Sequence, residues 1–452
     1  MTARTAHAER AALAAAQLRA SSYGDALGLA KPTSNLFRDR AAGAKRRLDL
    51  AGFNHVLAAD SERGTVDAEG LVTFEDLVAA TLPHGAMPAV VPQLKTITLG
   101  GAAAGVGIEA TSFRHGLVHD TLTEIEVLLP GGNTVVCTPD NEHADLFFGF
   151  PNSYGTLGYA LRLTQRTLPV KPYVRVEHFK YDDPAVFFRD LAARCEQAFD
   201  FIDGVVFGPR FGTRELVLSC ARFVDAAPWL SDYTFERIYY RSLREKDTDY
   251  LSVHDYLWRW DTDWFWCSKN LGAQNPILRR LLGRKRLNSR FYTRVMRLNS
   301  RWGFTRALAR LRGSSVESVI QDVDIPIARA PEFLDFLLRE IGVLPIWICP
   351  IGPAQRSAQF TLYPLATRGL YVNFGFWDAV ARPGAHAPGE LNRKIERQVI
   401  ALGGIKSLYS DSYFDRDTFA RAYALDAYAQ LKRKYDPQGR ALGLYEKCVL
   451  KR

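Results

Sequence analysis

The chain has 452 residues, 47% hydrophobic, 12% aromatic and 24% charged, which excludes a peptide ligand, a lone binding module or a disordered tail and allows two or three packed cores. No apolar run approaches the ~20 residues of a membrane-spanning helix and the Ala-rich start lacks a signal core, so an intracellular protein with reduced thiols is expected. The net charge of +9 is local, because residues 279–312 hold twelve Arg and Lys and no Asp or Glu; a nucleic-acid-coating surface would spread its charge, and that class is set aside.

Residues 5–20 have a helix-forming composition, which a turn at 21–25 ends. From 48 to 91, short apolar alternations are broken at 60–64 and 67–70, predicting strands and tight turns. Residues 124–127 and 134–136 alternate around a Pro-Gly-Gly-Asn reversal at 130–133, predicting strand, turn, strand. Residues 161–168 alternate again. Beyond Pro169 and Pro172 the rhythm shifts to mixed strands and longer helices, placing a domain boundary near 172. Cys137, Cys195, Cys220, Cys267, Cys349 and Cys448 are scattered, without the paired spacing of a zinc site or disulfide scaffold.

Residues 92–116, PQLKTITLGGAAAGVGIEATSFRHG, crowd Gly100, Gly101, Gly105 and Gly107 into a loop after a strand-like 97–99. With mostly Ala between them, backbone N–H groups could approach a diphosphate without Cβ interference. The spacing is not a Rossmann fingerprint, since no helix is expected after it, and without Gly-Lys-Ser/Thr it is no Walker loop. The plain alternative is a structural glycine loop. A second cluster follows: Asp145-Leu146-Phe147-Phe148, then PNSYGTLG at 151–158.

In this order the residues resemble flavoproteins with the vanillyl-alcohol-oxidase (PCMH-type) FAD-binding domain, most closely the delta-24-sterol reductase (24-dehydrocholesterol reductase, Diminuto) group and its bacterial relatives that make 10-methyl fatty acids. TLGGAAAGVGIEA (98–110) looks like the FAD pyrophosphate loop, and CTPDNEHADLFFGFPNSYGTLG (137–158) like the segment after it. FWCSKNLGAQNPILRRLLG (265–283), VIQDVDIPI (319–327), PIWICPI (345–351) and LYSDSYFDRDTF (408–419) are similar to further pieces of the sterol-reductase pattern.

The resemblance implies an α+β fold: a two-subdomain PCMH-type FAD-binding domain over 1–172, an α+β substrate or cap domain over 173–400, and a segment over 401–452 returning to the flavin. It implies FAD contacts from Thr33, Ser34, Asn35, Thr98, Leu99, Gly100, Gly101, Gly105, Gly107, Ile108, Glu109, Thr111, Ser112, Gly155, Leu157 and Gly158. Many relatives carry a flavin-linking His in the first loop. No His lies between Tyr23 and Asn54, so non-covalent FAD is expected. His115 and His119 are four apart, but no third ligand completes a metal site, and none is expected.

Within 286–302, Leu287, Phe291, Val295, Leu298 and Trp302 recur at helical spacing, with Arg286, Arg290, Arg294, Arg297 and Arg301 one residue earlier. Drawn as a helix, this sets an apolar stripe beside an arginine stripe, the form of an interfacial helix on an anionic membrane. The competing reading is an ordinary amphipathic helix whose Arg side chains snorkel around a buried seam.

A flavin moves hydride while the protein aims substrate and proton donor. The resemblance implies reduction of an isolated C=C of a lipid, with NADPH as electron donor. The substrate expected is a methylene-branched acyl chain of membrane phospholipid, giving the 10-methyl form, with a lipid methyltransferase as partner and a place on the inner membrane face. Alternatives are a sterol Δ24 bond, the reverse acyl dehydrogenase, a sugar or lactone oxidase, and a non-enzymatic lipid-binding protein. An unactivated alkene needs an acid to protonate it. Tyr409, Asp411 and His254 are the acid candidates, Lys406 stands near them, and the tryptophans of 256–266 are expected to be channel lining or core.

Overall fold

The computed structural model describes residues 2–20, 26–30, 37–38, 45–210, 213–302, 314–352, 359–366 and 368–451. A parallel pair, β1 (Ala26–Leu29) and β2 (Lys45–Leu48), stands apart from two antiparallel sheets. The first sheet holds β3 (Val56–Asp60), β4 (Thr65–Glu69), β5 (Ala86–Pro88), β6 (Leu122–Leu128), β7 (Thr134–Cys137) and β8 (Tyr159–Pro169). Its order is β3-β4-β8-β6-β7, with β5 also on β8. The second holds β9 (Tyr173–Tyr181), β10 (Phe201–Arg210), β11 (Thr213–Val224), β12 (Thr248–Ser252), β13 (Ser314–Pro326), β14 (Ile346–Ile351), β15 (Tyr371–Pro383) and β16 (Ile405–Lys406). Its order is β12-β9-β11-β10-β14-β15-β13-β16. The fold is α+β.

The hairpins at 60–64 and 129–133 form where turn residues interrupt alternation, the second with Gly132 at φ 88°. The turn expected at 67–70 does not form there: Asp67, Ala68 and Glu69 lie inside β4, where Asp67 and Glu69 are held by cations. The helix Phe74–Thr81 was not apparent from the alternation around it. Thr73 caps it by accepting from Asp76 N at 3.2 Å, and Phe74, Leu77, Val78 and Thr81 are buried at helical spacing.

The faces of the second sheet differ. On one, Val319, Val323, Ile325, Ile346, Ile348, Phe374 and Phe376 pack against helices Pro184–Cys195, Ala330–Phe336 and Glu390–Ala401. Alternation sends Asp203, Asp322, Asp324, Trp347, Asn373 and Trp377 to the other face. The segment after the glycine-rich stretch fastens the two sheets together. Ala110 O accepts from Ile202 N at 2.8 Å, and Ser112 O from Gly352 N at 3.0 Å. A Cβ on Gly352 would lie 1.7 Å from Phe113 O, so only glycine permits this approach. Arg259, wholly buried, donates to Glu109 Oε1 at 2.7 Å and Asp203 Oδ2 at 2.8 Å across the same joint. The C-terminal helices Leu425–Tyr435 and Leu444–Cys448 return to the first layer, where Lys432 Nζ reaches Thr156 O at 3.2 Å and Lys447 Nζ reaches Tyr154 O at 2.7 Å.

The N-terminal helix Ala3–Arg19 docks through His7, whose ring nitrogens meet Glu69 Oε1 at 2.8 Å and Glu126 Oε2 at 3.1 Å. Burial pulls the His7 pKa down, but hydrogen bonds and charge from Glu126 and Glu69 outweigh it, to about 9. The folded value lies above the unfolded 6.5, so the stabilisation is full below pH 6.5 and lost as pH rises through about 9. Urea unfolding between pH 6 and 10 should lose on the order of 2 kcal/mol across that window, and His7→Gln should flatten the decline. An unchanged profile in the variant would remove His7 as its cause.

Candidate functional site

The glycine-rich stretch differs from its expected form. Thr98 caps a short helix, Leu99–Ala104, by accepting from Gly101 N at 3.3 Å. Leu99 N donates to Val72 O and Gly100 N to Gly70 O, each at 2.9 Å, so three N–H groups expected to face a diphosphate have partners inside the protein. The glycines clear room for the chain itself: a Cβ on Gly100 would lie 2.7 Å from Gly70 O, and one on Gly107 2.6 Å from Val118 Cγ2. Downstream, Thr111 Oγ1 donates to Ala89 O and Ser112 Oγ accepts from Glu109 N, while the Glu109 carboxylate pairs with Arg259. Ile108 is buried among them. Thr33, Ser34 and Asn35 lie outside the described residues.

The second cluster has a more unusual backbone. Asn152, Tyr154 and Gly155 take left-handed conformations, φ 61°, 50° and 77°, costly for tyrosine and typical of functional turns. Asn152 N and Tyr154 N bond Gly105 O and Ala104 O, closing the end of the short helix. Leu157 and Gly158 instead pack the turn onto β6, where a Cβ on Gly158 would lie 2.6 Å from Leu128 O. Asn152 Oδ1, Ser153 Oγ and Ser410 Oγ are buried without a hydrogen-bond partner among the described residues. Such atoms are expensive to leave unmet in a folded protein.

From this turn a polar path crosses to the second sheet. Tyr154 OH lies 3.2 Å from Ser407 Oγ, and Ser407 N donates to Asp322 O at 3.0 Å. The Tyr409 hydroxyl accepts from Trp377 Nε1 at 2.7 Å and faces the Asp322 carboxyl. Burial raises the Asp322 pKa, a hydrogen bond with Tyr409 lowers it and the charge of Asp324 raises it, leaving it at about 7. Burial likewise raises Asp324 to about 6 against hydrogen bonds from Asn373 and Tyr363. Asp322 stands opposite Gly375 in the β13–β15 register, where a Cβ would lie 2.7 Å from Asp322 Oδ1, 3.0 Å from Trp377 and 3.2 Å from Trp347. Gly375 therefore lets a carboxyl and two indoles converge.

Aromatic rings surround this pair. Phe265 lies 4.4 Å from Trp377, Trp266 5.8 Å from Trp377, and Phe37 5.9 Å from Tyr409 and 6.0 Å from Trp264. Trp264 and Phe265 are themselves left-handed, φ 45° and 56°. Two consecutive bulky residues held there are strained, a feature that clusters at functional sites. Phe37 N also bonds Tyr409 O at 3.0 Å, joining the amino-terminal segment to the same place.

The other acid candidates do not join Tyr409. His254 follows β12, at the opposite edge of the second sheet from β16, seven strand steps of ~4.8 Å away. Its half-exposed ring pairs with Asp255 at 3.1 Å. Asp411 pairs with Lys451 at 2.9 Å. Lys406 is buried, donating to Glu396 Oε1 at 2.9 Å and Ser412 Oγ at 3.0 Å. His119 is buried edge-on against Phe360.

The basic stretch is also rearranged. In helix Ser289–Trp302 the apolar side turns inward: Leu287, just before it, and Tyr292 are buried, and Phe291 and Val295 are half-buried. The stretch lacks acids, but distant parts of the chain supply them: Asp263 meets Arg279, Glu236 meets Arg280, Asp232 meets Arg284 and Glu75 meets Arg290. The side chains of Arg297, Leu298, Arg301 and Trp302 lie outside the described residues. No helix among the described residues is long and apolar enough to cross a membrane.

Comparison with known proteins gives this geometry a context. Residues 32–138 match the family described as FAD binding domain. The chain is 25% identical over 443 residues to a delta(24)-sterol reductase of Arabidopsis thaliana, covering 88% of this chain and 76% of that one. It is 27% identical over 426 residues to a delta(24)-sterol reductase of Homo sapiens, covering 87% and 75%. Over 146 residues it is 33% identical to cytokinin dehydrogenase 7 of Oryza sativa subsp. japonica, covering 31% and 28%. The unmet polar atoms of Asn152, Ser153 and Ser410 fit a cofactor rich in hydrogen-bonding groups such as FAD.

Proposed function

We infer, for a chain that is a flavin-dependent oxidoreductase related to the delta(24)-sterol reductases, that it reduces an isolated, branched C=C of a lipid. The observation that carries this is the Tyr409–Asp322 pair, with a carboxyl poised near neutrality among tryptophans. A proton source works best with a pKa near the working pH; here it is the Asp322 carboxyl, which resupplies Tyr409, whose own hydroxyl burial holds above its usual value, and protonation is what an unactivated alkene lacks.

FAD, when bound, supplies the hydride, and Asn152, Ser153, Gly155 and Ser410 are the residues that would hold it. Tyr409 holds the transferable proton at its hydroxyl, and Asp322 behind it replaces that proton. Trp377 Nε1, donating to the hydroxyl oxygen, stabilises the tyrosinate left after transfer. Phe265, Trp264 and Trp377 offer ring faces to the positive charge that develops on the more substituted carbon. A tertiary carbon lowers the cost of that charge, which favours branched alkenes.

The substrate we propose is a methylene-branched acyl chain of a phospholipid, reduced to its 10-methyl form with NADPH as electron source. A sterol Δ24 bond is the second reading, favoured by the names of the relatives. Anaerobic mixing with NADPH should bleach the flavin, and adding the methylene-branched phospholipid should restore its colour. Reoxidation only by a Δ24-sterol would select the second reading. Reoxidation by neither lipid would end the alkene-reductase assignment.

A further inference from the structure

The helix Pro276–Leu282 is short and points apolar side chains at solvent: Ile277 is 72% exposed, Leu281 73% and Leu278 38%. Ile277 and Leu281 are four apart and share one face. Asn275 caps the start by accepting from Ile277 N at 2.9 Å, and Gly283 at φ 68° ends it, so the exposed residues sit on a firm turn. The loop alongside shows the same character, with Trp229 52% and Leu230 54% exposed. Arg280 and Arg284 tie the two together by pairing with Glu236 at 3.0 Å and Asp232 at 2.6 Å. These five residues are most of the large exposed hydrophobics of the described residues.

The carboxylates at this place, Glu236 and Asp232, are taken up by Arg280 and Arg284, and the charge left over is positive. Lys285, Arg286 and Arg294 are exposed and have no acidic partner among the described residues. Exposed isoleucine, leucine and tryptophan, with unpaired Lys285 and Arg286 directly after the helix, match the layering of an anionic bilayer surface, where apolar groups enter below the phosphates. A protein partner of ordinary composition would bring acids and bases together, whereas phosphate headgroups bring only negative charge.

We propose that helix Pro276–Leu282 and the loop carrying Trp229 and Leu230 form a docking surface for an anionic phospholipid membrane. Ile277 and Leu281 enter the headgroup boundary, and Lys285, Arg286 and Arg294 meet phosphates. This moves the contact from the stripe of the following helix, of which Leu287, Phe291 and Val295 are buried or half-buried, to the turn before it. The surface is independent of the flavin reaction, so its failure would leave that reading standing.

The test is co-sedimentation of the full chain with vesicles of phosphatidylcholine, with and without phosphatidylglycerol. The protein should pellet with the anionic vesicles and less with neutral ones. Ile277→Asp with Leu281→Asp, and separately Lys285→Glu with Arg286→Glu, should each weaken binding by about tenfold or more. Both pairs are exposed, and unchanged thermal unfolding confirms that the variants fold. Absence of vesicle binding by the parent chain, or undiminished binding by both variants, overturns the proposal. So does a dimer, seen by sedimentation velocity, that dissociates on the Ile277→Asp and Leu281→Asp changes, since a second copy would then cover the face.

Discussion

Replacing Asp322 with Asn should lower the rate at which the reduced protein turns over the proposed branched lipid alkene by about 10²–10⁴-fold, the usual contribution of a placed proton donor. Tyr409→Phe falls in the same range. Flavin reduction by the proposed donor, NADPH, should change little in either variant, because no proton to the alkene is needed there. The acid's pKa of about 7 sets the pH response: it is protonated below that value, so alkene reduction holds at low pH and declines as pH rises through about 7. Asp322→Asn removes that limb, which a purely structural role would not do. Single-turnover mixing of reduced protein with alkene across pH 5.5–9 reads both effects, and a wild-type decline retained in the variant would sink the assignment of the acid.

The second large effect is on stability. Arg259→Leu should cost about 3–5 kcal/mol in urea unfolding, because it strips the shared cation from two buried carboxylates. Glu109 and Asp203 both bond Arg259 Nη2, and Glu109 is already raised to about 7 by burial, against the opposing charge of Arg259. Without the guanidinium, burial of Glu109 is opposed by less, so its carboxyl favours the protonated form and the variant regains stability on acidification toward pH 5. Adding Glu109→Gln to Arg259→Leu should recover part of the loss. A loss below about 1 kcal/mol would show that water enters the joint and solvates the acids.

Much of the fold follows from local pattern. The long amino-terminal helix and the hairpins obey alternation and turn chemistry, because each needs only neighbouring residues to define it. Helix Phe74–Thr81 was concealed because its capping Thr73 lies among strands whose own alternation dominates. The glycines at 100 and 107 are legible as a close approach, but what they approach is Gly70 and Val118, which sequence does not bring near.

The site was half legible. Tyr409 and its partner Asp322 both lie in segments that resemble the sterol-reductase pattern, LYSDSYFDRDTF and VIQDVDIPI, and the second carries a signal of its own: two acids two apart in an apolar strand must share a face. What that face meets depends on chain pairing, so Asp322 could not be ranked above Asp411 or His254. His254 stands just before the tryptophans of 258–266 in the sequence, yet it lies at the surface while the chain after it turns inward to reach Trp377. The strain at Asn152, Tyr154, Trp264 and Phe265 has no sequence signature, since left-handed aromatics are set by tertiary packing.

The β13–β15 ladder runs without a shift from Ser314 opposite Pro383 to Pro326 opposite Tyr371. The acid's address is thus written in main-chain pairing, and no loop decides it. A one-residue insertion upstream in that ribbon would swing Asp322 and Asp324 beneath the helices and present Gln321 and Val323 to the face that carries Trp347 and Trp377. Length can vary freely at either end of the ribbon, while its middle tolerates exchange of side chains but no change of count.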